Sequence, residues 1–589
     1  MTEPKTFPGK PKTTWNLDLI GNTTLQKVQK EAKKFIEKWK KRKDYLQKPS
    51  ILKEALDDYN QWEEKYSMGG DEAYKLILKL TLDQNNAKLK AQYNKLHEKY
   101  IELYNSLQFF MLNISKIPPK EQPKFLKAPE LAKYRYFLKG QFEIAKYLLT
   151  EKEERILNLK SKVAFGNWVD MTENLISKET RDGKSFSEIL SETSDPNKSK
   201  RDKAAKWLNE IFENHIDPGE HELNSVLENA KINQKLRGYK RPDEPRHVGD
   251  DIETEVVDAL LTAVTSRYDI SQKFYELKAK LLGFEQLEYH ERNVPYGKAE
   301  KEYEFEDALA LVNETFYDLD PEFAQYFHNY FKQGQFDAFP KKGKSSGAAC
   351  FSGLKTQPIY IYLNFTKKLR NVTTIAHEMG HAIHSELVFK SQPAIYAGTS
   401  LATAETASTL MEDFVVQRIL HDADDELKLA LQMEQLNDSV STIQRQIACY
   451  KFEQELHESF RREGYLSKEQ IGELFQKHMA AYMGDFVEQS KGSQNWWLYW
   501  SHIRRHFYVY SYASGLLISK SLQKRVKETP EFIKEVKEVL ALGTSKSPKD
   551  AFLEIDIDIS NPDFWLQGLK EQSQLLDDTW TLAEKLGKI

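Results

Sequence analysis

A mainly helical protein with one small β-sheet is the fold the sequence predicts, on three observations. Apolar residues recur at helical spacing through most of the 589 residues. Strand-like sequence is confined to a short region before residue 370. Charged residues make up 30% of the chain and hydrophobic residues 40%, a mixture that supports a packed core and argues against wholesale disorder.

The helical elements are read from their stripes. Leu25, Val28, Ala32, Phe35 and Trp39 follow one another at alternating steps of three and four, so they share one helix face, with Lys and Glu on the other. Similar stripes recur through 71–110 and 141–180, and no fixed repeat length links them. Pro118, Pro119 and Pro123 punctuate a connector. The polar stretch 191–202, carrying Pro196, reads as a lobe boundary or exposed turn. The charged segment 287–305 is expected to cross the surface, and 341–347 (KKGKSSG) to be flexible. Residues 359–365 (IYIYLNF) are β-branched and aromatic, about one strand long, and Ala348-Ala349-Cys350-Phe351 is a second candidate. A helix is expected over 366–386, then helices to the end.

Composition limits function. Lys plus Arg is 85 against 89 for Asp plus Glu, a net charge of −4, which argues against a dedicated nucleic-acid binder. Cys350 and Cys449, the 2 cysteines, exclude a disulfide framework and a cysteine-only metal site. The opening residues Met1 to Pro8 contain no apolar signal core, and no run reaches the roughly 18 apolar residues needed to span a bilayer. A soluble, cytoplasmic protein without a membrane partner is expected.

Chemistry is concentrated in His377-Glu378-Met379-Gly380-His381. On a helix, residues four apart lie on one face roughly 6 Å apart along the axis, so both imidazoles can converge on one ion. Zinc accepts neutral imidazole and tolerates an open coordination position. Glu378 can lie beside the ion and take a proton from the water it holds. The uncharged approach Val372, Thr373, Ile375, Ala376 and the following Ala382 and Ile383 place the motif on a buried helix, where histidines need partners. A catalytic zinc usually has three protein ligands. Glu386 is close but turns off the site, while Glu405, among small residues that permit close helix approach, and Glu412 remain open as candidates. Either is equally readable as a surface carboxylate.

The motif, followed by Ala404-Glu405-Thr406-Ala407-Ser408, resembles the thimet oligopeptidase and oligoendopeptidase F family of zinc metallopeptidases, more closely the oligoendopeptidase F branch. Thr14-Trp15-Asn16-Leu17-Asp18-Leu19, the approach Tyr362-Leu363-Asn364-Phe365, and the late segment His502 with Phe507-Tyr508-Val509-Tyr510-Ser511-Tyr512-Ala513 are similar too, so the likeness covers nearly the whole length. The resemblance implies one Zn2+ per chain held by His377, His381 and Glu405, with Glu378 as general base. It implies a zincin-like fold of two helical lobes around a deep substrate channel, with the small sheet beside the motif helix. The chain then divides into an N-terminal helical lobe, 1–195, and a catalytic region, 196–589.

The late segment is the most aromatic of the chain, opening with Trp496-Trp497-Leu498-Tyr499-Trp500. Hydroxyl and imidazole groups there can donate to a developing oxyanion, or the segment can be an aromatic core helix. The resemblance assigns the oxyanion role to His502 and Tyr510, with Tyr508 and Tyr512 as further candidates. On a helix, His502 and Tyr510 would share a face about two turns apart. His506 falls outside the pattern, and Arg504 and Arg505 either bind a substrate carboxylate or lie on the surface. Gly347-Ala348-Ala349 is slim enough for an edge strand to meet an extended substrate, or is a tight turn, and Cys350 has no activating base.

The expected function is hydrolysis of internal peptide bonds in short, unstructured oligopeptides. The rivals are a zinc exopeptidase on the same motif and a catalytically silent helical peptide-binding protein.

Overall fold

The computed structural model describes residues 10–67, 69–297 and 302–589, and it is predominantly helical with short strands. Residues Met1 to Pro8, from which the absence of a signal sequence is read, and residues 298–301 of the 287–305 connection lie outside the described residues. No helix among the described residues is long and apolar enough to cross a membrane.

The chain forms two compact units, each assembled from three segments. The first comprises Met1–Glu151, Lys301–Ile419 and Leu522–Asp556, and the second Lys152–Glu300, Leu420–Ser521 and Ile557–Ile589. Residue 195 lies between the helices Phe186–Glu192 and Lys198–Arg237 of the second unit.

In the first unit, the helix Leu25–Trp39 is capped by the Thr24 hydroxyl, and all five residues of its predicted stripe are buried. They pack with residues of Pro49–Lys65 and Ala87–Ser115. Phe110, fully buried, meets the rings of Phe35 at 5.1 Å, Tyr59 at 5.5 Å and Tyr45 at 5.7 Å. The predicted proline connector separates Ala87–Ser115 from the short helix Gln122–Leu126.

The predicted sheet is present and three-stranded. Tyr360–Tyr362 is central, parallel to Phe336–Asp337 and antiparallel to Ala349–Phe351, with Cys350 opposite Ile361. Ala349–Phe351 is therefore an edge strand. The N-terminal segment braces this sheet. Trp15 Nε1 donates to the Ile361 carbonyl (2.8 Å), the Tyr360 hydroxyl donates to the Asn16 carbonyl (2.6 Å), and Asn16 N–H donates to the Gly334 carbonyl (2.7 Å). Tyr74, from the helix Gly70–Leu82, donates to the Phe351 and Pro358 carbonyls at 2.8 and 2.9 Å.

Two expectations change. The 341–347 segment is irregular but pinned: the fully buried Lys344 ammonium donates to Asp337 (2.7 Å) and the Phe339 carbonyl (2.8 Å), and Ser345 N–H to the Thr81 carbonyl (2.9 Å). The described start of 287–305 does not cross the surface. Tyr289, His290, Glu291 and Arg292 are buried, because Glu291 pairs with Arg201 (2.7 Å) and Arg292 lies over the Tyr289 and Trp496 rings at 4.2 and 4.7 Å. Pro218 lies inside the 40-residue helix Lys198–Arg237, which stops at the left-handed Gly238.

Replacing Phe110 by Ala removes a fully buried ring and should destabilise the first unit by about 3–5 kcal/mol. The check is the shift of its denaturant midpoint against wild type, and an unchanged midpoint would contradict this packing.

Candidate active site

The helix Leu369–Ser391 carries the motif and buries Val372, Ile375, Ala376, Met379, Ala382 and Ile383. Its start is tied by Asn371, whose side-chain oxygen accepts from Thr366 N–H (2.8 Å) and Lys368 N–H (3.2 Å). The apolar face anchors the helix, and the histidines one turn apart emerge on the other side, each about one-quarter exposed.

Glu405 meets them from the turn that opens the helix Thr406–His421. One of its carboxylate oxygens lies 3.4 Å from His377 Nε2 and 3.6 Å from His381 Nε2. The approach depends on small residues. A Cβ added at Gly380 would lie 2.5 Å from Ser408 Cα and 2.6 Å from the Ala407 carbonyl oxygen, so the two backbones touch directly. Ser408 then donates from its hydroxyl to the Glu405 carboxylate (3.1 Å).

Both imidazoles are oriented from behind. His377 Nδ1 contacts the Glu412 carboxylate at 2.9 Å, and His381 donates to the Ala404 carbonyl, leaving both Nε2 atoms directed at Glu405. Burial alone would strip His377 of its proton, yet hydrogen bonds to Glu405 and Glu412 outweigh it and push the pKa up to about 10. Burial opposes ionisation of Glu405, but the His377 bond and nearby His381 pull it down to about 2. Burial, reinforced by the His377 charge, takes His381 down to about 4.

The donor set fits a divalent zinc ion. Two imidazole nitrogens and a carboxylate oxygen are the ligand types zinc takes, and ligand atoms of a tetrahedral site lie about 3.3 Å apart. All three ligand atoms here lie within 4.8 Å of one another.

Glu378 is 7% exposed, and its carboxylate accepts the Cys350 backbone N–H of the edge strand. Burial, aided by Glu405 and Glu412, raises its pKa to about 7 against the opposing pull of His377. A cavity of about 360 Å³ opens here, lined by Ala348, Ala349, Cys350, His377, Glu378, His381 and Glu405 among others. Burial and the nearby Glu378 push the Cys350 thiol well up. Glu386 is turned away, accepting from the Tyr330 hydroxyl (2.8 Å).

The remaining predicted site residues lie in the second unit. The helix expected to join His502 and Tyr510 is absent. His502 sits in a 3₁₀ turn, Ser501–Arg505, and a new helix begins only at Tyr510, because His506 and Phe507 adopt positive φ of 46° and 56°. That break brings the Tyr512 hydroxyl, not Tyr510, to His502 Nε2 (2.9 Å). Tyr510 is fully buried and its hydroxyl donates to Asp250 (2.9 Å). Arg504 is engaged with the buried Glu222 (2.7 Å), while Arg505 is exposed.

The sequence profile of Peptidase family M3 matches residues 192–571, and that of Oligopeptidase F matches 113–178. The chain belongs to peptidase family M3. An oligoendopeptidase F homologue of Lactococcus lactis is 22% identical over 98% of this M3 chain and 97% of its own. The crystal structure of oligoendopeptidase-F from Enterococcus faecium superposes with TM-score 0.70 at 18% identity, covering 95% of this chain and 98% of that one. A crystal structure from Chlamydophila abortus gives 0.80 at 20% identity, covering 98% and 100%. This M3 protein is a peptidase, a hydrolase of peptide bonds.

Two features of the M3 site escape sequence reasoning. Glu412, open as a ligand from spacing, stands behind His377 rather than facing Glu405. His384 also lines the cavity, with its ring donating to the Leu540 carbonyl. Its spacing of three from His381 is the only local signal.

Gly380→Ala should drive the Glu405 turn away and lower zinc affinity by at least about tenfold, on the scale of lost ligand support. Competition with a chromophoric chelator measures it, and wild-type affinity would show that the contact at Ser408 is not what sets the ligand spacing.

Proposed function

We propose that this M3 peptidase is a zinc-dependent endopeptidase acting on internal bonds of short, unstructured oligopeptides. The observation that carries the proposal is the convergence of His377, His381 and Glu405 beside a buried Glu378 in one cavity. These three residues would hold the ion. When bound, zinc supplies a Lewis acid that polarises the scissile carbonyl and lowers the pKa of water.

Glu378 does the proton work. A carboxylate with pKa raised to about 7 by burial is poised near neutrality, as a general base needs to be. It takes the proton of the attacking water and delivers it to the leaving amine nitrogen. The Cys350 N–H fixes the carboxylate while this happens. Hydrogen bonds to the oxyanion are assigned to His502 and its partner Tyr512, with Tyr508, whose ring lies 5.8 Å from that of His502, as a further donor. Tyr510, spent on Asp250, takes a supporting place instead. Burial, aided by Arg505 and Arg445, lowers the His502 pKa, so a neutral imidazole is available to donate or accept.

The edge strand supports this substrate class. Among the described residues, Ala349–Phe351 pairs with a strand on one side only, and Ala348 and Ala349 line the cavity with little bulk. An extended peptide can pair there, whereas the backbone of a folded domain is already paired. The names of relatives, oligopeptidase and oligoendopeptidase F, agree with short peptides as substrates.

Glu378→Gln should retain zinc and lower kcat by at least about 10²-fold, in the range of general-base loss. The measurement is a mass-spectrometric digest of a mixed peptide library, with elemental analysis and a chelator control. Internal cleavage of peptides with blocked ends, abolished by chelation, is expected. Cleavage only from free termini would establish an exopeptidase, and near-normal hydrolysis by Glu378→Gln would remove its assigned role.

A further inference from the structure

The turn between His502 and its tyrosines is one the backbone does not adopt freely. His506 has φ 46° and ψ 109°, and Phe507 has φ 56°. Left-handed backbone in side-chain-bearing residues costs about 1–3 kcal/mol each and persists only where the surroundings impose it. Four helix ends of this chain take positive φ at a glycine, Gly238, Gly283, Gly334 and Gly464. Here it retains two bulky residues, and the Phe507 ring is fully buried, 4.8 Å from the His457 ring and 5.2 Å from that of Tyr450.

Two groups impose the turn. Arg246, in the helix Glu244–Gly249, donates from Nη2 to the Arg505 carbonyl (3.0 Å) and from Nε to the His506 carbonyl (3.3 Å). Its Nη1 reaches one oxygen of Asp250 (3.2 Å), and the other oxygen of Asp250 accepts the Tyr510 hydroxyl (2.9 Å). Glu453, in the helix Gln444–Glu463, is 0% exposed and accepts the Phe507 N–H (2.8 Å). Its second oxygen is buried with no hydrogen-bond partner. Burial pushes its pKa up to about 8, so near neutrality it is largely a neutral acceptor committed to that one N–H. The Arg246 and Arg505 guanidinium groups lie 5.9 and 5.7 Å from the centre of the Tyr508 ring.

We propose that Arg246 and Glu453 are positioning residues for oxyanion stabilisation, clamping the left-handed turn at His506 and Phe507 so that Tyr508 and Tyr512 are set against His502. The proposal rests on the assignment of His502 and these tyrosines to the oxyanion. A guanidinium is suited to the task because its fork of donors meets two carbonyls and a carboxylate at once, which the single ammonium of lysine does not do. Both clamp residues are committed to the backbone of the turn, so loosening the clamp misplaces the donors without removing them.

The test compares Arg246→Met, Glu453→Ala and Glu453→Gln with His502→Ala, using a quenched peptide and a phosphinic peptide that mimics the tetrahedral oxyanion. Arg246→Met should lower kcat by about 10–100-fold, the scale of an ångström-level misplacement, with KM within about twofold and zinc content unchanged. Affinity for the phosphinic peptide should fall by the same factor as kcat/KM, because only that ligand presents the oxyanion. Glu453→Gln, which keeps an acceptor, should retain most of the activity that Glu453→Ala loses. Should Arg246→Met not fold, the two Glu453 variants carry the same comparison. Unchanged kcat and phosphinic affinity in folded clamp variants, where His502→Ala loses both, would overturn the clamp and leave the peptidase assignment standing. Matching losses of KM, zinc and inhibitor binding would reduce these residues to a purely structural role and overturn it too. An active His502→Ala would remove the underlying oxyanion assignment, and the clamp with it.

Discussion

His377, His381 and Glu405 meet because two backbones run in contact at Gly380 and Ser408. The distance leaves no room even for a methyl group, so the interaction is set by what is missing from position 380 rather than by any attractive pair. Side-chain chemistry then builds on that contact. The Ser408 hydroxyl steadies Glu405, the Ala404 carbonyl orients His381, and Glu412, one helical turn beyond Ser408, orients His377. A single short helix start thus supplies a candidate ligand and the groups that aim the other two.

The proposed acid–base residue depends on a different layer. Glu378 lies between the motif helix and the edge strand, and the Cys350 N–H holds it. That strand pairs with Tyr360–Tyr362, and the N-terminal segment locks Tyr360–Tyr362 in turn through Trp15 and Asn16. Residues far apart in sequence therefore converge on one carboxylate. Its low exposure is the main cause of its raised pKa, and Glu405 and Glu412 add to it.

What the sequence made legible was local. The stripe from Leu25 to Trp39 and the paired histidines of the motif are periodicities within a single helix, and both appear as read. The strand at 360–362 was legible from its β-branched and aromatic run. Glu405 could not be separated from Glu412 by spacing, because the choice is made where Ser408 meets Gly380. The burial of Glu291 and Arg292 was illegible because their partners, Arg201 and Trp496, are remote in the chain. The exchange of Tyr510 for Tyr512 beside His502 turns on left-handed backbone at a histidine and a phenylalanine, held by Arg246 and Glu453, which are remote in the chain.

Each compact unit is stitched from three separated stretches, and the last stretch of both comes from beyond residue 521. On the ribosome, a nascent chain that has already emitted the motif helix still lacks Leu522–Asp556, the final piece of the unit that contains it. Neither unit can close vectorially, one after the other. Apolar helix faces that these last stretches cover stay open to water until residues beyond 521 have been made.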